Sequence, residues 1–325
     1  MKSISKLAIC LAAFSALALP QPAAAQEKIT FTTDFGYMGR HSYYFVAREK
    51  GFYKDVGLDV NIVRGQGSAD SVKQVAAGTA QLGFADASIV ILGRGNDGAP
   101  VKLVSMVYHN PPHAIFTLES SGIKKPKDLE GKRIADTAAS ALKNLFPAYA
   151  KAAGIDDKTI NWIIITPDAR AGTLSLGRAD AVPDYLMGQA LFQKTIGDKK
   201  MLRFTYAEAG MKFYSNGIIA NDNFIKSNPD TIKRFLAATY RGLKYSLAHP
   251  EEAAQILKKN HSHIDLDIGE AETRTVATLV QNPENPTGAI DPELLQKTID
   301  LVSNAFDLKS KVTVNDVYAP GFIGN

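Results

Sequence analysis

Short apolar stretches of strand length alternate with longer stretches of helical period over most of this chain, and that alternation limits its fold more than any other feature. Residues 28–33 read as a strand, followed by a loop and a helix over 43–50 that stops at Gly51. Leu58, Val60 and Ile62 alternate with polar residues, which predicts a half-buried strand. Ser68 can cap a helix whose Val72, Val75 and Ala76 share one face and which ends at Gly78. Strands over 81–85 and 101–107 come next. Strand, helix and strand in this order imply a parallel sheet with right-handed crossovers.

The pattern restarts further on. Residues 132–135, 161–165 and 179–182 are strand candidates separated by helical segments. A proline inside a helix costs about 3 kcal/mol. Pro147 is therefore expected in the first turn of a helix that runs to Ala153 and stops at Gly154. Beyond residue 228 the chain is mostly helical, over 229–248, 250–260, 268–281 and 292–306. Two sheet-centred units and a helical tail predict an α/β fold of two lobes with a cleft between them, and such clefts hold small ligands.

The N-terminus sets the compartment. Lys2 and Lys6 precede an apolar run over 7–19, which closes with Pro20, Pro22 and Ala23, Ala24 and Ala25. That is the pattern of a secretory signal peptide over residues 1–25, cleaved after Ala25 to release the chain into the periplasm. The apolar run is too short to span a bilayer comfortably. The only cysteine, Cys10, lies inside this leader, ahead of most of the apolar run, where a lipid anchor is not expected. A mature chain without cysteine excludes disulfides, cysteine nucleophiles and cysteine-ligated metals. The leader's two lysines carry two of the +4 formal charges. What remains is near neutral, with no electrostatic case for nucleic acid or a membrane surface.

Several motifs, taken in order, carry a family resemblance. They are AREKGFYKDVGLDV over 47–60, GQGS over 65–68, AAGTAQLGFAD over 76–86, KDLEGKR over 127–133, GRADAV over 177–182 and NFIKSNP over 223–229. Together they resemble the periplasmic solute-binding proteins of the family that takes up thiamine pyrimidine precursors, nitrate, taurine and alkanesulfonates. The resemblance implies a type II periplasmic binding protein fold, two α/β lobes joined by a two-segment hinge. It places residues 26–112 with 220–325 in lobe one, 113–219 in lobe two, and the crossings near 113–118 and 214–221. It also implies a monomer that binds a small-molecule solute by hinge closure and docks on an ABC permease in the inner membrane, with no cofactor and no metal.

The first loop speaks to the solute. Asp34, Phe35, Tyr37 and His41 resemble the loop of the pyrimidine-precursor binders, in which an Asp-Trp pair precedes a histidine seven residues after the aspartate. Asp34 and His41 keep that spacing, and Phe35 stands in place of the tryptophan. Aromatic faces stack on a flat heterocycle while a carboxylate and an imidazole bond its edge, so a thiamine-pyrimidine-like solute is expected. Position alone leaves Asp34 equally readable as a turn cap and His41 as a surface histidine. Asp86 and Ser88 sit where a strand hands over to a helix, and Asp86 reads as a helix cap or a ligand contact. Tyr108, His109 and Asn110 precede the first crossing, where Pro111 and Pro112 also allow a purely structural turn. Thr137, Ser140, Asp184 and Tyr185 are expected to close from the second lobe, and Tyr214 completes the set.

Three other functions compete. A sulfonate, taurine or nitrate binder needs a dense donor set; Arg40, Arg64 and Arg94 are available but form no evident anion nest. A periplasmic sensor module would use the same fold. A pyrimidine synthase like the fungal relatives would need a cysteine-rich motif and a lysine-bound pyridoxal phosphate. Neither G-x-S-x-G nor H-E-x-x-H occurs, so no enzyme is expected. His261 and His263, two apart, are read as a polar loop and not a metal site.

Overall fold

A computed structural model describes residues 25–323. Apart from Ala25, the expected leader, including Cys10, lies outside the described residues. The apolar runs form strands β1 (Glu27–Thr32), β2 (Leu58–Val63), β3 (Leu82–Asp86), β4 (Val101–Met106), β5 (His113–Leu118), β6 (Arg133–Asp136), β7 (Asn161–Ile164), β8 (Ala181–Tyr185), β9 (Met201–Thr205) and β10 (Asn216–Asn221). They make two five-stranded sheets, ordered β2-β1-β3-β10-β4 and β7-β6-β8-β5-β9.

The two sheets are built alike. In the first, β1 runs parallel to β2 and β3, and β10 runs antiparallel to β3 and β4. In the second, β6 runs parallel to β7 and β8, and β5 runs antiparallel to β8 and β9. In each sheet the antiparallel strand is the one beside a crossing from the other lobe. The chain leaves the first sheet after Met106 and returns to it at Asn216, so Asn216–Asn221 pairs within the first sheet. His113–Leu118 is a fully buried strand of the second.

Burial explains the register. Leu58, Val60 and Ile62 of the edge strand β2 point into the core while Asp59 and Asn61 face water. The central strands β3, β5 and β8 are buried along their whole length. Strand β9 has only intermediate burial over most of its length and alternates weakly, which is why its sequence gives no strand signal. The helix around Pro147 corrects an expectation: it starts at Ala141, not at the proline, and carries Pro147 in its interior. Its buried face, with Leu142, Leu145, Phe146 and Tyr149, offsets the lost hydrogen bond, since each buried large apolar side chain is worth about 1.5–3 kcal/mol.

Helices of the C-terminal third tie the lobes together. Pro292–Ala305 packs on both Ala87–Asp97 of the first lobe and Ala141–Ala153 of the second. Leu266–Val276, on the first lobe, meets Leu186–Gly188 and Gln189–Ile196 of the second. Among the described residues no helix is long and apolar enough to cross a membrane.

Candidate functional site

Parallel strands place their following loops at one edge, and both lobes turn that edge toward the cleft. The loop after β1 is folded back on itself: the Thr33 hydroxyl donates to the Gly36 carbonyl at 2.9 Å, and residues 39–41 form a single 3₁₀ turn. That turn packs so closely on helix Leu266–Val276 that a Cβ on Gly39 would lie 2.2 Å from the Gly269 carbonyl oxygen. Only glycine fits there.

His41 and Asp34 belong to a buried polar chain. His41 Nε2 lies 2.7 Å from Asp34 Oδ1, and the Met38 N–H donates to His41 Nδ1 at 3.3 Å. An acceptor at Nδ1 makes Nε2 the protonated nitrogen, so His41 is a neutral imidazole that donates to Asp34. Burial lowers the His41 pKa, against the opposing pull of Asp34. Asp34 Oδ2 accepts from Asn216 Nδ2 at 2.9 Å, and Asn216 Oδ1 accepts from the Tyr185 hydroxyl at 2.8 Å. Asp34 and Asn216 belong to the first lobe, Asn216 at the point where the chain returns to it, and Tyr185 to the second.

A second carboxylate lies beneath. Asp86 caps helix Ala87–Asp97 by accepting from the Ser88 N–H at 2.9 Å, and it accepts from the Ser215 hydroxyl at 2.8 Å. His113 Nε2 stands 3.2 Å from Asp86 Oδ2 without hydrogen-bond alignment. Burial opposes ionisation of Asp86, but His113, Ser88 and Ser215 outweigh it and hold its pKa below the usual carboxylate range.

The second lobe answers with Asp136 and Asp184, on β6 and β8, the counterparts of β1 and β3 in strand order. Both hold Arg170, at the start of helix Arg170–Ser175. Its Nη2 is bonded to Asp136 Oδ1, its Nη1 is 3.3 Å from Asp184 Oδ1, and Ser140 Oγ accepts at 3.2 Å. So held, its guanidinium lies over the Phe35 ring, 4.1 Å from the centroid. Arg40 adds a second buried guanidinium, 3.8 Å from Asp184 and 5.3 Å from the Tyr185 ring centre. Burial opposes its charge, yet Asp34, Asp184 and Glu272 raise its pKa further. Around Phe35, Arg40, Asp34, Ser68, Arg170 and Tyr185 a cavity of about 10 Å³ remains, room for a single water. The lobes are shut.

Of the expected residues, Asp34, Phe35, Ser140, Asp184 and Tyr185 line this cavity. His41 supports Asp34 from behind. Asp86 and Ser88 sit deeper, and Tyr108 is buried with its hydroxyl 3.4 Å from the Arg40 carbonyl. Thr137 is buried beside Asp136, its Oγ1 without a hydrogen-bond partner among the described residues. Tyr37 stacks on His261, ring centres 4.0 Å apart, at the mouth of the cleft. His109, Asn110 and Tyr214 are not brought there. His109 bonds the Ala289 carbonyl at 3.0 Å, Asn110 is exposed, and the Tyr214 hydroxyl accepts from the Asp291 N–H at 2.9 Å. Arg170, Asp136, Asn216 and Glu272 enter the picture only through the fold. Arg40 had one sequence signal, its place between Asp34 and His41.

The family model described as NMT1/THI5 like matches residues 39–253. The chain belongs to the NMT1/THI5-like family. Within it, the chain is 25% identical over 301 residues to the formylaminopyrimidine-binding protein of Halalkalibacterium halodurans, covering 91% of this chain and 90% of that one. It is 30% identical over 249 residues to the 4-amino-5-hydroxymethyl-2-methylpyrimidine phosphate synthase of Candida albicans, covering 70% and 69%. Among solved structures, the alkanesulfonate-binding protein SsuA of Xanthomonas axonopodis pv. citri, bound to MOPS, superposes with a TM-score of 0.71 at 16% identity, over 92% of this chain and 100% of that one. The fold of this NMT1/THI5-like chain is therefore that of the periplasmic binding proteins, two α/β lobes around a cleft.

Proposed function

We propose that this chain is an extracytoplasmic solute-binding protein that closes its lobes on a flat heterocycle of the aminopyrimidine class and presents it to an ABC-type import complex. The observation that carries this reading is the Arg170 guanidinium stacked on Phe35, with the Asp34 carboxylate in the same cavity. Phe35 belongs to the first lobe and Arg170 to the second. Opening the hinge, formed by the crossings over 107–112 and 206–215, separates them. A planar ring then enters the gap and meets an aromatic face on one side and a guanidinium on the other. Arg170 stays aimed because Asp136, Asp184 and Ser140 hold it. Asp34, steadied by His41 and Asn216, accepts from the exocyclic amine of the ring.

The charge balance supports an uncharged ring edge over an anion. Asp34, Asp136 and Asp184 outnumber Arg40 and Arg170, and both guanidiniums already face carboxylates. The names of the two sequence relatives point to the same heterocycle, one as ligand and one as product. A synthase is less well supported, since among the described residues no lysine lines the cavity at Phe35 and the only cysteine of the sequence is Cys10.

Thermal unfolding of the chain from Gln26 onward, against aminopyrimidines, taurine, alkanesulfonates and nitrate, tests the class. A solute at about a hundred times its Kd adds roughly 2.7 kcal/mol, several degrees for a chain this size. 4-Amino-5-hydroxymethyl-2-methylpyrimidine is expected to raise the unfolding temperature, and Phe35→Ala or Asp34→Asn to abolish the rise. A rise with sulfonates or nitrate alone overturns the ligand class.

A further inference from the structure

The cavity at Phe35 is one of two that meet at the same ion pair. Arg170 and Asp184 line it from one side, and they also line a larger cavity of about 180 Å³ at the mouth of the cleft. This outer cavity lies between helix Leu266–Val276 of the first lobe and the segments around Pro167 and Phe192 of the second. The Arg170–Asp184 pair, 3.3 Å apart, is thus the partition between an inner aromatic chamber and an outer one.

The two chambers differ in chemistry. Four carboxylates face the outer one, from Asp168, Asp184, Asp265 and Glu272, against the single guanidinium of Arg170. The rim acids have their own partners, since Arg64 meets Asp168 at 2.6 Å and Lys194 is bonded to Asp265. Glu272 is different. It is 2% exposed, its Oε2 finds no hydrogen-bond partner among the described residues, and Arg40, the cation that faces it, is shared with Asp34 and Asp184. A buried carboxylate oxygen without a partner is costly, and a cation or a strong donor beside it removes that cost.

We propose that the solute is bipartite: its planar head lies between Phe35 and Arg170, and a cationic substituent passes the Arg170–Asp184 pair into the outer chamber against Glu272. The inference takes the head from the reading above and adds the tail. A neutral solute leaves Glu272 Oε2 without an ionic partner, whereas a fixed positive charge on the tail supplies one beside a carboxylate that is itself buried. Contacts to a charged group of this kind are worth about 1.5–3 kcal/mol, at least about tenfold in affinity.

Calorimetric titration with three probes that share one head decides the matter. 4-Amino-5-hydroxymethyl-2-methylpyrimidine has no extension, formylaminopyrimidine has a neutral one, and thiamine carries a thiazolium cation. Thiamine is expected to bind at least about tenfold more tightly than either neutral probe, and Glu272→Gln to remove most of that advantage. Glutamine keeps the shape of the side chain, and the comparison in the unaltered chain stands even if the variant folds poorly. Equal or tighter binding of a neutral probe overturns the cationic tail and leaves the head intact. A Glu272→Gln loss that is equal for all three probes overturns the assignment to Glu272. Binding of none of the three overturns the head, and the tail with it.

Discussion

Two acids of this cleft are equally buried and titrate in opposite directions, and their hydrogen bonds explain why. Asp86 receives Ser88 and Ser215 and faces His113, so its charge is favoured despite burial. Glu272 is dominated by burial, with Asp184 adding repulsion, and the pull of Arg40 with the N–H groups of Gly39 and Arg40 is not enough; its pKa is pushed up to about 7. In the unfolded chain the same carboxyl titrates near 4.5. Below that pH both states hold the proton and Glu272 has no effect. As pH rises toward about 7 the unfolded state ionises first, so folding stability falls across this window, and the full loss is present above it. Glu272→Gln cannot ionise. The difference in unfolding temperature between the variant and the parent chain should therefore grow in the variant's favour between pH 4.5 and 7, with an upper bound on the order of 3 kcal/mol. A difference that stays constant with pH would mean that Glu272 does not titrate there. At this scale the sequence was partly readable: the loop's resemblance singled out Asp34 and His41, but position alone left them open to ordinary turn and surface readings, and their hydrogen bond to each other came only with the fold. Arg170 and Glu272 were not readable, because an arginine or a glutamate in an ordinary polar stretch looks the same whether it faces water or a cleft.

The GQGS motif shows what an element adds to its residues. Gly67 precedes helix Ser68–Ala76 with φ at +140°, and a Cβ there would lie 2.3 Å from the carbonyl oxygen of Ala139, in the second lobe. The same carbonyl accepts from the Ala69 N–H at 3.2 Å, so this is a point where the lobes touch backbone to backbone. Gly67→Ala should leave each lobe's core intact, with about 1–3 kcal/mol of backbone strain, and block the last step of closure. Solute affinity is expected to fall at least about tenfold, more than the loss of stability in the solute-free chain explains. Unchanged affinity would show that closure does not pass through this contact. The alternation of strands and helices made the lobes legible, since buried central strands leave short continuous apolar runs and amphipathic helices leave a clear period. Two elements were less so. Strand β9 is a weakly buried edge, and the helix over Ala141–Ala153 hides its first turns behind a proline whose usual meaning is a start. Tertiary packing overrides that local signal, which no window of sequence contains.

Across the whole molecule the question is what holds the lobes shut. The exposed pairs at the mouth, Arg64 with Asp168 and Lys194 with Asp265, bridge the lobes, but solvent screening leaves exposed ion pairs little net weight. Against them stand buried groups of the cleft that find no hydrogen-bond partner among the described residues: Arg40 Nε and Nη1, Asp136 Oδ2, Thr137 Oγ1 and Glu272 Oε2. Each such group costs about 1–3 kcal/mol relative to its hydrated state. These unpartnered groups work against closure when no solute is present, and a solute that bonds some of them shifts the equilibrium toward the closed form. Small-angle scattering of the solute-free chain should therefore give a radius of gyration above that of the closed form described here. A saturating aminopyrimidine should bring it down. Arg64→Ala combined with Lys194→Ala should leave that contraction in place and change affinity by no more than a few fold, because the cleft and not its rim supplies the closing energy. A solute-free chain already as compact as the closed form would contradict this balance. A double variant that no longer contracts would move the latch to the rim.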